Sequence, residues 1–444
     1  MNLILAHGLG GRSDLPVPLW LALYGGGAAI VMSFAVLAVF WRSPKLHGDA
    51  GGWPLPYGVQ RFADARATRA FLRALGVGLA MGLVGTAAFG STDSFNNPAP
   101  VWFYVWFWVG LVPFSLLFGP VWRLLNPLRA LNGLLARISG ARGGDGYLDI
   151  PEWVGLWPAA AGLTAFVWLE LVFQDPSRPV IVLIFVVLYG AANLIAASLY
   201  GERWFAQGDG FEVYSSLLGS MSPIGRRRDG RLVVRNPLDG LAAIGPAPGL
   251  VAVVAVLLGS TMFDGLTRTA PWTSLTDSQP AAFNLLVGTL GLAGSIAFVG
   301  VTFVTAARFS ARFMPADSAR RAHLDQSFVH SLMPIVVGYT LAHYFSLLVF
   351  EGQNGYILAS DPFARGQNLF GTAQWAINYT LVSTSAIALV QVASIVTGHV
   401  VGVISAHDRA VGVFPRRAVT RGQYALLVVM VAYSVGGIAL LVGT

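Results

Sequence analysis

The chain has 444 residues, 55% hydrophobic and 11% charged, with a mean hydropathy of +0.64, which excludes a soluble globular protein and points to one whose solvent is lipid. Its net charge of +7 needs no nucleic acid to explain it, because the basic residues fall in short loops where anionic lipid headgroups lie and no groove-entering or base-stacking module is present. Cysteine is absent, so disulfides, Cys-ligated zinc and iron–sulfur clusters are excluded.

The first residues, MNLILAHGLGGRSD, carry no basic region ahead of an apolar core, so no cleavable signal peptide is expected. Apolar runs of about 20 residues then recur, each long enough to cross a ~30 Å hydrocarbon layer as a helix. They cover 17–41, 68–91, 100–123, 152–173, 178–200, 246–264, 281–307, 328–350, 376–404 and 421–442. The predicted fold is therefore all-α, a polytopic integral membrane protein of about ten transmembrane helices forming one domain over 1–444. Of the 28 basic residues, all but Arg12, Arg178, Arg268 and Arg365 fall in alternate loops, so the basic loops are expected in the cytoplasm and both termini outside. Arginine in place of lysine, with abundant Ala, Gly and Val, is the bias of a GC-rich bacterial genome. The expected location is thus a bacterial cytoplasmic (inner) membrane.

Two cytoplasmic segments read as interfacial helices, 124–140 and 209–222. In the first, Asn126 caps with Pro127 at the opening position, and Leu128, Leu131, Leu135 and Ile138 share a face that excludes Arg129 and Arg137. In the second, Asp209 and Glu212 have capping-box spacing and Phe211, Tyr214, Leu218 and Met221 form an apolar stripe. The cytoplasmic loop 201–245 is too short for a core of its own. Five spans followed by five of opposite entry satisfy the parity of an inverted repeat, but the one internal echo, Asn126-Pro127-Leu128 against Asn236-Pro237-Leu238, puts both copies on the cytoplasmic side.

Chemistry-bearing residues gather in the stretch 328–361, a span that holds His343 in its apolar body and leads into Glu351 and Gln353. Ionisable groups at bilayer depth cost about 2.5–3.5 kcal/mol on insertion scales, so they mark functional sites by default. Glu170 near the outer end of the fourth span, Asp264 closing the sixth, Asp361 and His7 could join His343, Glu351 and Gln353 in one acidic outward-facing site, to which Tyr339 adds a hydroxyl one turn before His343. The outer loop 351–375, rich in Gln, Asn and aromatics, could fold over it as a lid. A second histidine group, His323, His330, His399 and His407, falls on the cytoplasmic side and could hold a divalent transition metal if its helices are neighbours, although none has chelating i, i+4 spacing. No H-E-x-x-H, G-x-S-x-G or G-x-x-x-x-G-K-[ST] motif occurs, so no nucleotide is expected and ATP-driven work loses support. The HGLGG run at 7–11 lacks a nucleophile motif beside it.

The phrases HYFSLLVFEGQ, ASDPF and QNLFGTA, with STMFDG upstream and TGHVVGVISAH downstream, resemble a family of bacterial polytopic membrane proteins of which some are named fenitrothion hydrolase. The resemblance runs from the HGLGG start to the last span, and implies an integral protein of ten or so spans acting on phosphotriesters. It touches His343, Glu351, Gln353, Asp361, Asp264, His399 and His407. Three functions follow as expectations. One is a transporter or permease for a small solute or ion, in which His343, Glu351, Asp264 and Glu170 bind or couple the cargo. Another is an embedded hydrolase with Glu351 or Asp264 as base and His343 as ligand or shuttle. The last is a non-catalytic subunit of a larger membrane complex. Expected partners are the lipid bilayer, the small-molecule or ion substrate and, for the last reading, a membrane-protein subunit.

Overall fold

In the computed structural model, residues 18–138, 146–315 and 317–442 are described; His7, Arg12, the HGLGG run and Arg142 lie outside them. The long helices are α1 (Leu19–Phe40), α2 (Arg66–Phe89), α3 (Pro98–Phe118), α4 (Pro127–Ile138), α5 (Trp157–Leu171) and α6 (Pro179–Tyr200). They continue with α7 (Gly210–Ser220), α8 (Leu250–Thr267), α9 (Ala281–Ser310), α10 (Met333–Ala359), α11 (Thr384–Val413) and α12 (Tyr424–Val442). Nine segments among the described residues are helices long and apolar enough to cross a membrane, which makes the chain a multi-pass, helical membrane protein.

The predicted span 152–173 departs from this pattern. It is helical only over the 15 residues of α5, roughly 22 Å of axis. Pro151 to Leu156 form turns ahead of it, and beyond it the chain turns back through Asp175, whose φ of 53° is left-handed, to Pro179 at the first turn of α6. The short helix is nevertheless central: Leu163, Phe166 and Val167 are buried where it packs on α8 and α7.

Three other boundaries move for identifiable reasons. Helix α10 runs on to Ala359, so Glu351 and Gln353 are helical and the outer loop begins nine residues later than the expected 351. Helix α11 starts only at Thr384, where the Ser383 hydroxyl caps Ala386 N–H at 3.2 Å, and it stops at Val413 before Pro415. Helix α8 starts after Pro246 and Pro248, with Gly249 in a left-handed conformation that places its α-carbon against Leu156 and Trp157.

Helix α3 carries a π-helical stretch, Trp102–Val109, eight residues of which six are aromatic. Phe103, Phe107 and Trp108 interlock there with Phe166 of α5 and Phe211 of α7, with ring centroids 4.6–6.2 Å apart. Helices α8 and α10 form the centre, mostly buried, whereas α2 is exposed on nearly every side.

Helix α7 is buried on almost its whole circumference, against the expectation of an interfacial helix at 209–222. Asp209 does cap Phe211 N–H at 3.0 Å, but Glu212 does not close the capping box. It turns instead to Arg129 of α4, bonded in two places at 2.6 and 2.7 Å. Asn126 caps α4 at Leu128 N–H, 3.0 Å, and the face with Leu131, Leu135 and Ile138 is exposed while Arg129 is turned into the protein. The basic segment 224–235 folds as two strands of a small antiparallel sheet, β1 (Trp53–Pro54), β2 (Ile224–Arg226) and β3 (Leu232–Val234), with β3 in the middle pairing Trp53 and Ile224 to Val234.

The loops segregate to two ends. At one, Asp408 of α11 accepts from Trp41 Nε1 at 2.9 Å and Lys45 N at 2.6 Å, Asp239 accepts from His47 N at 2.8 Å, and Arg228 pairs with Asp49 at 2.7 Å. At the other, Tyr104 donates to Pro176 O, Gln174 to Ala281 O and Trp102 to Gly355 O, at 2.9–3.0 Å.

Candidate functional site

Helices α5, α8 and α10 bring three of the predicted ionisable residues together. Asp264 lies near the C-terminal end of α8, where its carboxylate meets His343 Nε2 from the middle of α10 in direct contact. Both are buried, at 8% and 1% exposure. Arg268, one helical turn on from Asp264, closes on the same oxygen at 3.3 Å and is a quarter exposed, linking the pair to the loop end of the bundle. From α5, Glu170 accepts a hydrogen bond from Tyr344 at 3.3 Å, while its other oxygen is enclosed without a partner. The charge of Asp264 reaches Glu170, so the two carboxylates share one electrostatic environment. The His343 and Tyr344 rings meet edge to face at 4.7 Å, and Trp108 stacked on Tyr214 at 4.7 Å belongs to the aromatic core beside them.

This arrangement can hold and exchange a proton. A carboxylate against an imidazole is an acid–base pair, and the Arg268 guanidinium lies on the same carboxylate oxygen. The Tyr344 hydroxyl satisfies one Glu170 oxygen and leaves the other as an acceptor without a donor.

The remaining predicted residues lie elsewhere. Tyr339 turns away to α12, donating to Tyr433 O at 2.9 Å. Glu351, two turns beyond His343, is half-buried and accepts from Asn354 at 3.4 Å. Gln353 ties down the loop that follows α10, accepting from Asn378 N at 3.0 Å, while its Nε2 donates to Val349 O of its own helix at 2.9 Å. Asp361 belongs to the loop: loss of some solvent works against its ionisation, but the N–H groups of Arg365, Gly366 and Gln367 outweigh it and hold the carboxyl below its usual range. A shallow groove of about 470 Å³ beside it is lined by Trp106, Gln353, Tyr356 and Trp375 and does not include the Asp264–His343 pair.

The second histidine group is not gathered into one cluster of three or more ligands among the described residues. His330 donates to Ser327 O and His399 to Ile395 O, each at 2.9 Å, and His407 sits between Gln423 Oε1 at 3.2 Å and Trp41 O at 3.1 Å. Each imidazole is thus engaged locally, and His323 is exposed. Among the described residues no three His, Asp or Glu side chains come together as a metal-ligand set.

Tyr344, Arg268 and Trp108 join the site without having been singled out as site residues from sequence, and Tyr214 was read only as part of an apolar stripe. Arg268 carried a usable signal, its i+4 spacing from Asp264. The aromatics carried none, since an aromatic in a span reads as packing.

Fold and site together define an all-α, multi-pass membrane protein with ionisable side chains paired between its central helices. No family model matches the chain, and neither a curated protein nor a solved structure matches it.

Proposed function

We propose that this protein is a transporter or permease for a small solute or ion, residing in a bacterial cytoplasmic membrane with both termini outside. The Asp264–His343 pair carries this reading. Ionisable side chains buried between two apolar helices are costly to stability, and in a membrane bundle such groups serve cargo binding or proton coupling. Glu170 and Arg268 flank it from the outward side under the positive-inside orientation, in which the arginine-rich loops face the cytoplasm. The cargo class is a small cation or a protonatable solute, for which two carboxylates and an imidazole are suitable acceptors.

The test is uptake by proteoliposomes of a panel of labelled metal cations, amines and organic acids. A cargo taken up by the wild type and lost with His343→Gln supports transport; no uptake of any panel member above protein-free vesicles, or uptake indifferent to His343→Gln, opposes it.

Phosphotriester hydrolysis, the activity implied by the family resemblance, is a second reading favoured by the same pair, because a carboxylate that orients an imidazole is the geometry of a general base. Turnover of a phosphotriester by the purified protein, abolished by His343→Gln, would select it.

A further inference from the structure

We propose that the helix Tyr57–Asp64 and the first two turns of α2 dock an anionic phospholipid of the adjoining leaflet, with Val59 and Phe62 among its acyl chains and Arg61, Arg66 and Arg73 on its headgroup phosphate. The inference is independent of the transport reading.

Periodicity makes the short helix two-faced. At 100° per residue, Val59, Phe62 and Ala63 fall within about 100° of one another, and Gln60, Arg61 and Asp64 fall on the other side. In a soluble domain such an apolar face is buried. Here no residue of the helix is buried, and Val59 is 47% and Phe62 72% exposed. The helix is nonetheless held in place. The Thr68 hydroxyl donates to Phe62 O at 2.7 Å and Arg69 donates to Asp64 O at 2.8 Å, which fastens its C-terminal end to the first turn of α2. An amphipathic helix fixed with its apolar side uncovered, directly ahead of a membrane span, is an interfacial element.

The depth of this element follows from α2. That helix is long and apolar enough to cross a bilayer, is exposed on nearly every side, and has no ionisable side chain from Ala74 to Phe89. Its arginines therefore stand where hydrocarbon gives way to headgroups. Arg66, Arg69 and Arg73 fall within about 60° of one another and form one stripe of positive charge. Gly76 continues the stripe into the apolar part of the helix, where a Cβ would overlap the Leu125 carbonyl. The backbone contact made there brings the helical segment Val121–Leu125, with its exposed Arg123, against α2.

The charge is not neutralised within the protein. Asp64 is the only acidic residue from Ala50 to Thr92, and it is engaged, 2.6 Å from Arg226 and 3.5 Å from Arg69. Arg61, Arg66 and Arg73 are exposed and form no ion pair or hydrogen bond among the described residues. A guanidinium binds two phosphate oxygens through its fork, and each basic side chain beside an anionic membrane surface contributes about 1 kcal/mol. Uncovered apolar side chains next to free guanidiniums complement a molecule that is apolar at one end and anionic at the other. A free phosphate would leave Val59 and Phe62 uncovered, so the occupant that fits is a phospholipid.

The experiment uses the absence of cysteine. Phe62→Cys and Gln60→Cys, about 160° apart round the helix, are each labelled in the full chain with an environment-sensitive fluorophore and placed in lipid nanodiscs. In phosphatidylcholine with brominated acyl chains, the label at position 62 should be quenched and the label at position 60 should not; equal quenching at the two positions overturns the insertion. Nanodiscs of phosphatidylcholine with a minor fraction of phosphatidylglycerol then carry the bromine either on the phosphatidylglycerol or on an equal amount of the phosphatidylcholine. At position 62 the brominated phosphatidylglycerol should quench at least about threefold more. The triple variant Arg61→Gln/Arg66→Gln/Arg73→Gln should lose that preference and keep its melting temperature, because no described residue pairs with these arginines. Equal quenching by the two lipids, or a preference that survives in the triple variant, overturns the headgroup site.

Discussion

Asp264 of α8 and His343 of α10 meet in direct contact inside the bundle, 79 positions apart in sequence, with Arg268 on the carboxylate and Tyr344 against the imidazole. Removing one member leaves the other buried and uncompensated. Asp264→Asn should therefore destabilise by about 3–5 kcal/mol, and the double variant Asp264→Asn/His343→Gln by less than the sum of the single changes. Unfolding of the purified protein in detergent measures both; additive losses would mean that the two side chains do not act as a pair.

The contact between α10 and α11 makes a steric prediction. A Cβ at Gly398 would sit 2.5 Å from the Pro334 carbonyl, so Gly398→Val should force α10 and α11 apart and cost about 1–3 kcal/mol. Gly436→Ala, at a helical position with nothing within 4 Å, should be neutral or stabilise by about 0.5–1 kcal/mol. Melting temperatures of the two variants moving in the same direction by similar amounts would contradict this.

On the basic side, Arg129 reaches Glu212 with two of its nitrogens, both residues buried, and Glu202 lies 3.7 Å from a third. Lysine offers a single point of charge in place of that fork, so Arg129→Lys should lose most of the stability that Arg129→Ala loses, about 3 kcal/mol. Protease resistance of the 201–222 segment reads the result.

The small sheet should respond to acid. Arg226 bonded to Asp64, and Arg228 bonded to Asp49, hold both carboxyls below the usual carboxylate range. A depressed folded value means that the stabilisation is fully present above the unfolded value of about 3.9 and fades as pH falls through the folded one. Amides of Leu232–Val234 should thus exchange at a constant protection from neutrality down to about pH 4, then faster below it. The effect should shrink with salt, because all four side chains are substantially exposed. Loss of protection already near neutrality would show that these pairs do not hold the sheet.

How much was legible in the sequence depended on the distance over which each feature is decided. Helix identity is local, and apolar length located nearly every long helix. Caps are local too, as Asn126 and Asp209 show. The 15-residue α5 was read as a full span because its flanking residues are apolar as well; turns at Pro151 to Leu156 and at Asp175 shorten it. Glu212 has capping-box spacing, but a buried arginine 83 positions away is a stronger partner than a backbone N–H. The apolar stripe of α7 could not say whether lipid or protein covers it, and the rest of its circumference, polar in pattern, is enclosed too. For the site, ionisable residues in spans pointed to His343, Asp264 and Glu170, whereas Glu351, Gln353, Asp361 and Tyr339 have the same chemistry but other neighbours. Residue type can be read along the chain; convergence of three helices cannot.

The most direct measurement is cargo exchange across proteoliposomes by wild type and Asp264→Asn, reconstituted in equal amounts and matched for folded fraction. If the Asp264–His343 pair is where cargo or its coupling ion binds, the variant should fall by about tenfold or more while protein recovery is unchanged. Equal exchange by the two proteins would remove the pair from the transport path and with it the central claim.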